Sequence, residues 1–146
     1  MQLQALFLET ARRLPQKVAV VDRSQGRRLT YTQMLVASLM LSRSMKRWGG
    51  GQETFLGILL PNSAGAIIAF MASLMAGRVP VLINYATGAT ENVAYARKRC
   101  GFRTVLTARA LLDKLQLEPD EGMIFLEDIL GELKVFDKIR GLVKSK

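Results

Sequence analysis

Residues 55–85, FLGILLPNSAGAIIAFMASLMAGRVPVLINY, constrain the fold more than any other part of the chain. Phe55 to Leu60 is a short apolar run, and Pro61-Asn62-Ser63 breaks it with a turn that also supplies a helix N-cap. Ala64 to Ala76 follows with no charge and with Ser73 as its one polar side chain. Gly77 stands where a left-handed residue would close a helix, and Val79 to Ile83 is apolar again. A helix apolar on every side, between strands apolar on both faces, predicts a parallel sheet covered by helices. Small residues (Gly65, Ala66, Ala69, Ala72, Ser73, Ala76) recur at helical spacing and predict close approach to the sheet. Large ones fill the remaining space, each contributing about 1.5–3 kcal/mol when fully buried. A membrane span is the competing reading. It fails on length, because only 13 residues separate Ser63 from Gly77, whereas a bilayer needs roughly 20.

The flanking segments extend the same pattern. Residues 2–14 predict an amphipathic helix with Leu3, Leu6, Phe7 and Leu14 inward, ended by Pro15. Val18 to Val21 and Arg28 to Tyr31, joined by Arg23-Ser24-Gln25-Gly26, predict a β-hairpin. Thr30 and Gln33 have the spacing of a capping box. The next helix carries Met34, Ala37, Leu41, Met45 and Trp48 on one stripe. Gly49-Gly50-Gly51 has the composition of a phosphate loop but the wrong context: it closes a helix and leads into a strand. Thr87 to Arg99 reads as a helix with Ala89, Val93, Ala96 and Cys100 inward and Arg97-Lys98-Arg99 at its C-terminal end. Strand, short helix and strand then follow at Thr104–Thr107, Ala108–Leu115 and Met123–Leu126. Glu127 and Asp128 read as a solvated turn or a cap, and residues 131–144 as a basic amphipathic helix. The expectation is one α/β domain over 1–146: three layers, a mainly parallel sheet with helices on both faces, and an N-terminal hairpin.

Composition narrows the chemistry. One cysteine and no histidine in 146 residues remove a disulfide framework, a Cys/His zinc site and any histidine-based nucleophile pair or general base. No catalytic, cofactor-binding or metal-ligating residue is assigned. Reduced, cytoplasmic surroundings are expected. The net charge of +9 is uneven: residues 1–112 hold 15 Lys/Arg against four acids, and residues 113–146 hold six against eight. Such a field suits an acidic partner.

Several residues carry a resemblance to a known family. Leu29-Thr30-Tyr31 enters a helix; Gly57-Ile58-Leu59-Leu60-Pro61-Asn62 follows; then come Ala69-Phe70 to Ala76-Gly77 and Val79-Pro80-Val81 ending at Asn84. In content and spacing these resemble the opening subdomain of the acyl-adenylate-forming ligases (AMP-binding enzymes). A narrower likeness lies in Asn84-Tyr85-Ala86-Thr87-Gly88, Thr107-Ala108-Arg109, Leu112-Asp113-Lys114 and Phe125-Leu126-Glu127-Asp128-Ile129. It resembles the acyl-[acyl-carrier-protein] synthetase module of bifunctional 2-acylglycerophosphoethanolamine acyltransferases.

The resemblance implies an ATP- and Mg-dependent adenylation of a long-chain fatty acid, followed by acyl transfer to a thiol of acyl carrier protein or CoA. It also implies that this chain corresponds to the opening part of such an enzyme. The family's Ser/Thr/Gly-rich phosphate loop, Tyr-Gly-x-Thr-Glu segment, ribose-binding aspartate and late lysine have no counterpart in these residues. The expectation is therefore a fragment that binds no cofactor and is inactive alone. Pro61, Asn62, Asn84 and Tyr85 follow two strands and are expected to form a wall of the substrate pocket; ordinary turn chemistry is the alternative. A homodimer through surface exposed by truncation, and peripheral attachment to an anionic inner-membrane surface, are further expectations. The rival class is a stand-alone basic module for nucleic acid or anionic membrane. Nucleic acid is not the expected partner, because the cations are scattered and the aromatics lie mostly on apolar faces.

Overall fold

A computed structural model of the chain describes residues 2–131. Helix α1 (Leu3–Arg13) leads to a hairpin of β1 (Val18–Asp22) and β2 (Arg27–Thr30), antiparallel with an irregularity between Val18 and Val20. Thr30 then caps α2 (Tyr31–Met45): its hydroxyl accepts from the Gln33 amide, and the Gln33 side chain accepts from the Thr30 amide. This is the capping box that the spacing predicts. The three glycines continue a 3-10 turn, Trp48–Gly51, that ends the helical run before the sheet begins.

Among the described residues the sheet has four parallel strands, in the order β4 (Val79–Leu82), β3 (Phe55–Ile58), β5 (Val105–Thr107) and β6 (Met123–Phe125). The crossovers are α3 (Ala64–Met75), α4 (Ala89–Cys100) and α5 (Arg109–Leu115), and residues 126–131 start a further helix. Strand β3 is laid first in sequence and flanked in space by both later directions of growth, so helices are forced onto both faces. On one face Leu41 and Met45 of α2 and Ala69 and Ala72 of α3 meet Leu56, Ile58 and Leu106. On the other, Val93 of α4 and Leu111 and Leu112 of α5 meet Leu59, Phe102 and Val105. This is the expected three-layer α/β architecture with its N-terminal hairpin.

Helix α3 behaves as its sequence requires. Ser63 caps it by accepting from the Ala66 amide, and Gly77 closes it at φ 75°. Ser73, its one polar residue, turns its hydroxyl back to the Ala69 carbonyl at 2.7 Å, so burial leaves that group satisfied. Ala69 and Ala72 are fully buried in the layer between α2 and the sheet. Ala72→Leu is therefore expected to overpack this layer and to lower stability by about 1–3 kcal/mol. A thermal melt within a degree of the parent would show that the layer has room to spare.

Two expectations are corrected. The first concerns α1, whose inward side is Phe7, Leu8 and Ala11, with Ala11 buried and the Phe7 ring against Tyr31. Leu3, Leu6 and Leu14 are exposed instead. The helix is rotated because its contacts come from α2 and α3, whose positions local periodicity does not contain. The second concerns β4, which is apolar on both faces but, among the described residues, forms an edge of the sheet, leaving Val79 46% and Leu82 65% exposed. Val79 and Ile83 donate their amides inward to Thr54 and Ile58, so Pro80 between them turns its hydrogen-free nitrogen to the open edge. Proline is tolerated there, and it blunts the edge against strand addition. The basic helix expected over 131–144 lies, from residue 132 on, outside the described residues.

Candidate functional site

The carboxyl ends of β3 and β4 open into a cavity of about 1010 Å³. Its apolar wall is made by Ile58 and Leu60 after β3, Ala66, Ile67 and Phe70 on α3, and Leu82 and Ile83 on β4. The hairpin closes one side with Val20, Val21, Asp22, Arg23 and Ser24. Asn62, Asn84 and Tyr85, three of the four residues expected at the substrate wall, come together on this cavity; Pro61 is not among its lining residues. Asn84 is engaged in local turn chemistry: its side-chain oxygen accepts from the Ala86 amide, and its carbonyl accepts from the Asn92 side chain. Pro61 is likewise part of the turn, its carbonyl accepting from the Ser63 hydroxyl. Tyr85 is half-buried against the α4 side of the core, and Asn62 is exposed.

Asp22 has the largest structural role at the site, and the sequence did not single it out. One carboxylate oxygen accepts from the Ala64 amide at 2.9 Å, at the first turn of α3 and 42 residues away. The other accepts from the Ser24 hydroxyl, the Ser24 amide and the Gln25 amide. The Ala64 amide, helped by Ser24 and Gln25, holds this carboxyl below the usual carboxylate range. A carboxylate at a helix N-terminus is also favoured by the helix dipole. Asp22 thereby seats the hairpin on α3 and sets the shape of the cavity. Only a weak signal marks it in sequence: Asp-x-Ser at the start of a turn.

Glu53 is a second long-range clamp. Its two oxygens accept from the Arg103 and Thr104 amides, tying the start of β5 to the loop before β3. Burial works to raise its pKa, but the Thr104 and Arg103 donors and the charge of Arg78 outweigh it and the group is held low. Buried Arg78 in turn donates to the Trp48 carbonyl. Asp120 is held low chiefly by Arg97, which grips it with two nitrogens at 2.7 and 2.9 Å. Arg97 is therefore an anchor for the loop before β6 and not free charge, which corrects its place in the basic field. Glu127 caps α5 by accepting from the Arg109 and Ala110 amides, Asp128 pairs with Arg109, and the Arg109 guanidinium lies 4.0 Å from the centre of the Phe125 ring.

The two places where a nucleoside triphosphate would look for backbone donors, the N-terminus of α3 and the glycine turn, both carry a carboxylate. The helix N-terminus on the cavity already holds the Asp22 carboxylate. Gly49, the first of the three glycines, has the Glu53 side chain packed against it, an acid where a polyphosphate needs a cation. Among the described residues no group of three His, Cys, Asp or Glu side chains is placed to hold a metal ion.

A three-layer α/β domain with a ligand-sized opening beyond its parallel strands defines the class. Comparison places it further: the family model for AMP-binding enzymes matches residues 7–136, and the chain belongs to that family. The zwittermicin A synthase ZmaJ of Bacillus cereus is 27% identical over 134 residues, which cover 90% of this chain and 25% of ZmaJ. Among solved structures, the nonribosomal peptide synthetase FmoA3 in its α-methyl-L-serine-AMP bound form superposes with a TM-score of 0.74 and 26% identity. The match covers 88% of this chain and 14% of FmoA3. The inhibitor-bound N-terminal domain of FACL13 from Mycobacterium tuberculosis shares the fold, at a TM-score of 0.73 and 22% identity over 90% of this chain and 35% of that one. The chain thus spans a quarter or less of ZmaJ and FmoA3.

Proposed function

We propose that this chain is the opening α/β part of an acid-activating, AMP-forming ligase, and that its cavity is one wall of the pocket for the acid. The carrying observation is the apolar cavity at the ends of β3 and β4, in a chain of the AMP-binding family. On this reading Asn62, Asn84 and Tyr85 face the acid, with Pro61 shaping the turn that presents Asn62. ATP and Mg bind to parts of the enzyme that these residues do not supply, so the chain alone holds no catalytic group. The similar structure of FmoA3 carries an aminoacyl adenylate, α-methyl-L-serine-AMP. The apolar lining here (Ile58, Leu60, Ile67, Phe70, Leu82) favours a long-chain fatty acid over an amino acid, whose ammonium group would meet no free carboxylate on this wall. A thiol of acyl carrier protein or CoA is the proposed acceptor, in keeping with the resemblance of residues 84–88 and 125–129 to acyl-carrier-protein synthetases.

The test is ATP–pyrophosphate exchange with fatty acids and amino acids, run on this chain and on an enzyme that also contains a phosphate loop. Exchange is expected only from the latter, and fastest with long-chain fatty acids. Exchange by the 146-residue chain itself would overturn its reading as a wall without a catalytic centre. Amino-acid-dependent exchange by the longer enzyme would move the substrate class to that of the peptide synthetases.

A further inference from the structure

The N-terminal stretch is rich in exposed positive charge. Between residues 3 and 28, Arg12, Arg13, Lys17, Arg23, Arg27 and Arg28 are all exposed, and none makes an ion pair among the described residues. The acids of this segment are Glu9 and Asp22, and the Asp22 carboxylate is turned inward and committed to four hydrogen bonds. The same segment exposes aliphatic side chains, with Leu3 50%, Leu6 43% and Val21 53% exposed. Helix α1 and the hairpin cover the same side of the α2–α3 layer. Both pack on α2 and α3, and the link between them is tied to the start of α2, where the Pro15 carbonyl accepts from Thr32 and the Lys17 carbonyl from Tyr31.

We propose that this α1–hairpin surface docks on an anionic lipid bilayer. Leu3 and Leu6 form a small aliphatic pair, and Arg12, Arg13 and Lys17 lie between that pair and Val21 along the chain, so the three do not make the contiguous apolar centre of a protein interface. The one aromatic of the segment, Phe7, is turned toward Tyr31 and is half-buried, which leaves no platform for stacked bases. An interfacial lipid layer takes both features at once: the aliphatics enter the acyl boundary while the cations meet phosphate. Each basic residue near an anionic leaflet strengthens binding about fivefold. Val21 and Arg23 also line the cavity. Docking therefore sets the cavity mouth at the headgroups, where, on the acid-activating reading above, a membrane-derived acid would enter.

Co-sedimentation of the chain with phosphatidylcholine vesicles, with and without phosphatidylglycerol, tests the proposal. Binding is expected with phosphatidylglycerol only, and to weaken more than tenfold between 0.1 and 0.5 M salt. Arg12→Glu with Arg13→Glu should weaken it at least tenfold. The same charge change on α4, Lys98→Glu with Arg99→Glu across the sheet, should cost less than threefold. Leu3→Ala with Leu6→Ala, which leaves every charge in place, should also weaken binding, and matched thermal melts identify any variant that has failed to fold. Equal loss from the two charge pairs would reduce the effect to net charge and overturn the surface assignment. So would undiminished binding by both α1 variants, absence of vesicle binding, or binding to an acidic carrier protein in its place. Vesicle binding requires neither ATP nor acid, so its failure is distinct from failure of pyrophosphate exchange.

Discussion

Cutting Leu106 back to alanine is expected to lower the stability of the chain by about 2–5 kcal/mol. Leu106 sits on β5 with no exposed surface, in the layer where Leu56 and Ile58 of β3 meet Ala69 and Ala72 of α3. Strand β5 is held in register on both sides, by β3 and β6, so the backbone around the site cannot move in to fill the space. The loss therefore combines the transfer of the removed atoms with the cost of a retained cavity. Leu82→Ala is the control: it deletes the same atoms from the open edge strand, where 65% of the residue is already in water, and should stay within about 0.5 kcal/mol. Urea denaturation of both variants checks the pair. Equal losses would show that burial in this sheet does not follow the order β4-β3-β5-β6.

Acid should unfold the chain through a small set of carboxylates. Asp22, Glu53 and Asp120 all have pKa values lowered in the folded state. A group whose folded pKa is depressed binds its proton more weakly when folded, so it adds stability that is complete above its unfolded pKa. That stability is lost as the pH falls through the lower folded value. The unfolded values lie near ~3.9 for Asp and ~4.3 for Glu, so the loss should begin below about pH 4.5 and deepen with further acid. Asp22 and Glu53 carry special weight, because each accepts from backbone amides of a distant segment: Ala64 in one case, Arg103 and Thr104 in the other. Protonation releases the hairpin from α3 and the start of β5 from the loop before β3. The double variant Asp22→Asn, Glu53→Gln should be less stable at pH 7 and show a flatter melting-temperature profile between pH 5 and pH 3. An unchanged acid slope would place the acid sensitivity elsewhere.

Much of the architecture is legible in the residues. The uncharged run from Ala64 to Ala76, capped by Ser63, closed by Gly77 and polar only at Ser73, is suited to burial between a sheet and other helices. Hydrophobic period and turn chemistry are local properties, so the hairpin, the capping box and the alternation of strands and helices follow from short windows of sequence. The meeting of Asn62, Asn84 and Tyr85 on one cavity is also legible, because residues that follow neighbouring parallel strands must emerge at the same end of the sheet.

Tertiary structure decided the rest, because each remaining feature depends on a partner far away in sequence. The strand order made β4 an edge, exposing Val79 and Leu82 although their pattern matches that of a buried strand. The positions of α2 and α3 rotated α1, buried Ala11 and left Leu3 and Leu6 outside. Asp22, Glu53 and Arg97 look in sequence like scattered surface charges. In the fold each clamps a segment between 6 and 51 residues away, through hydrogen bonds that exist only once the chain has closed. Periodicity records which side of an element is apolar; what that side meets, and which charge satisfies which buried amide, is set by the packing of the whole chain.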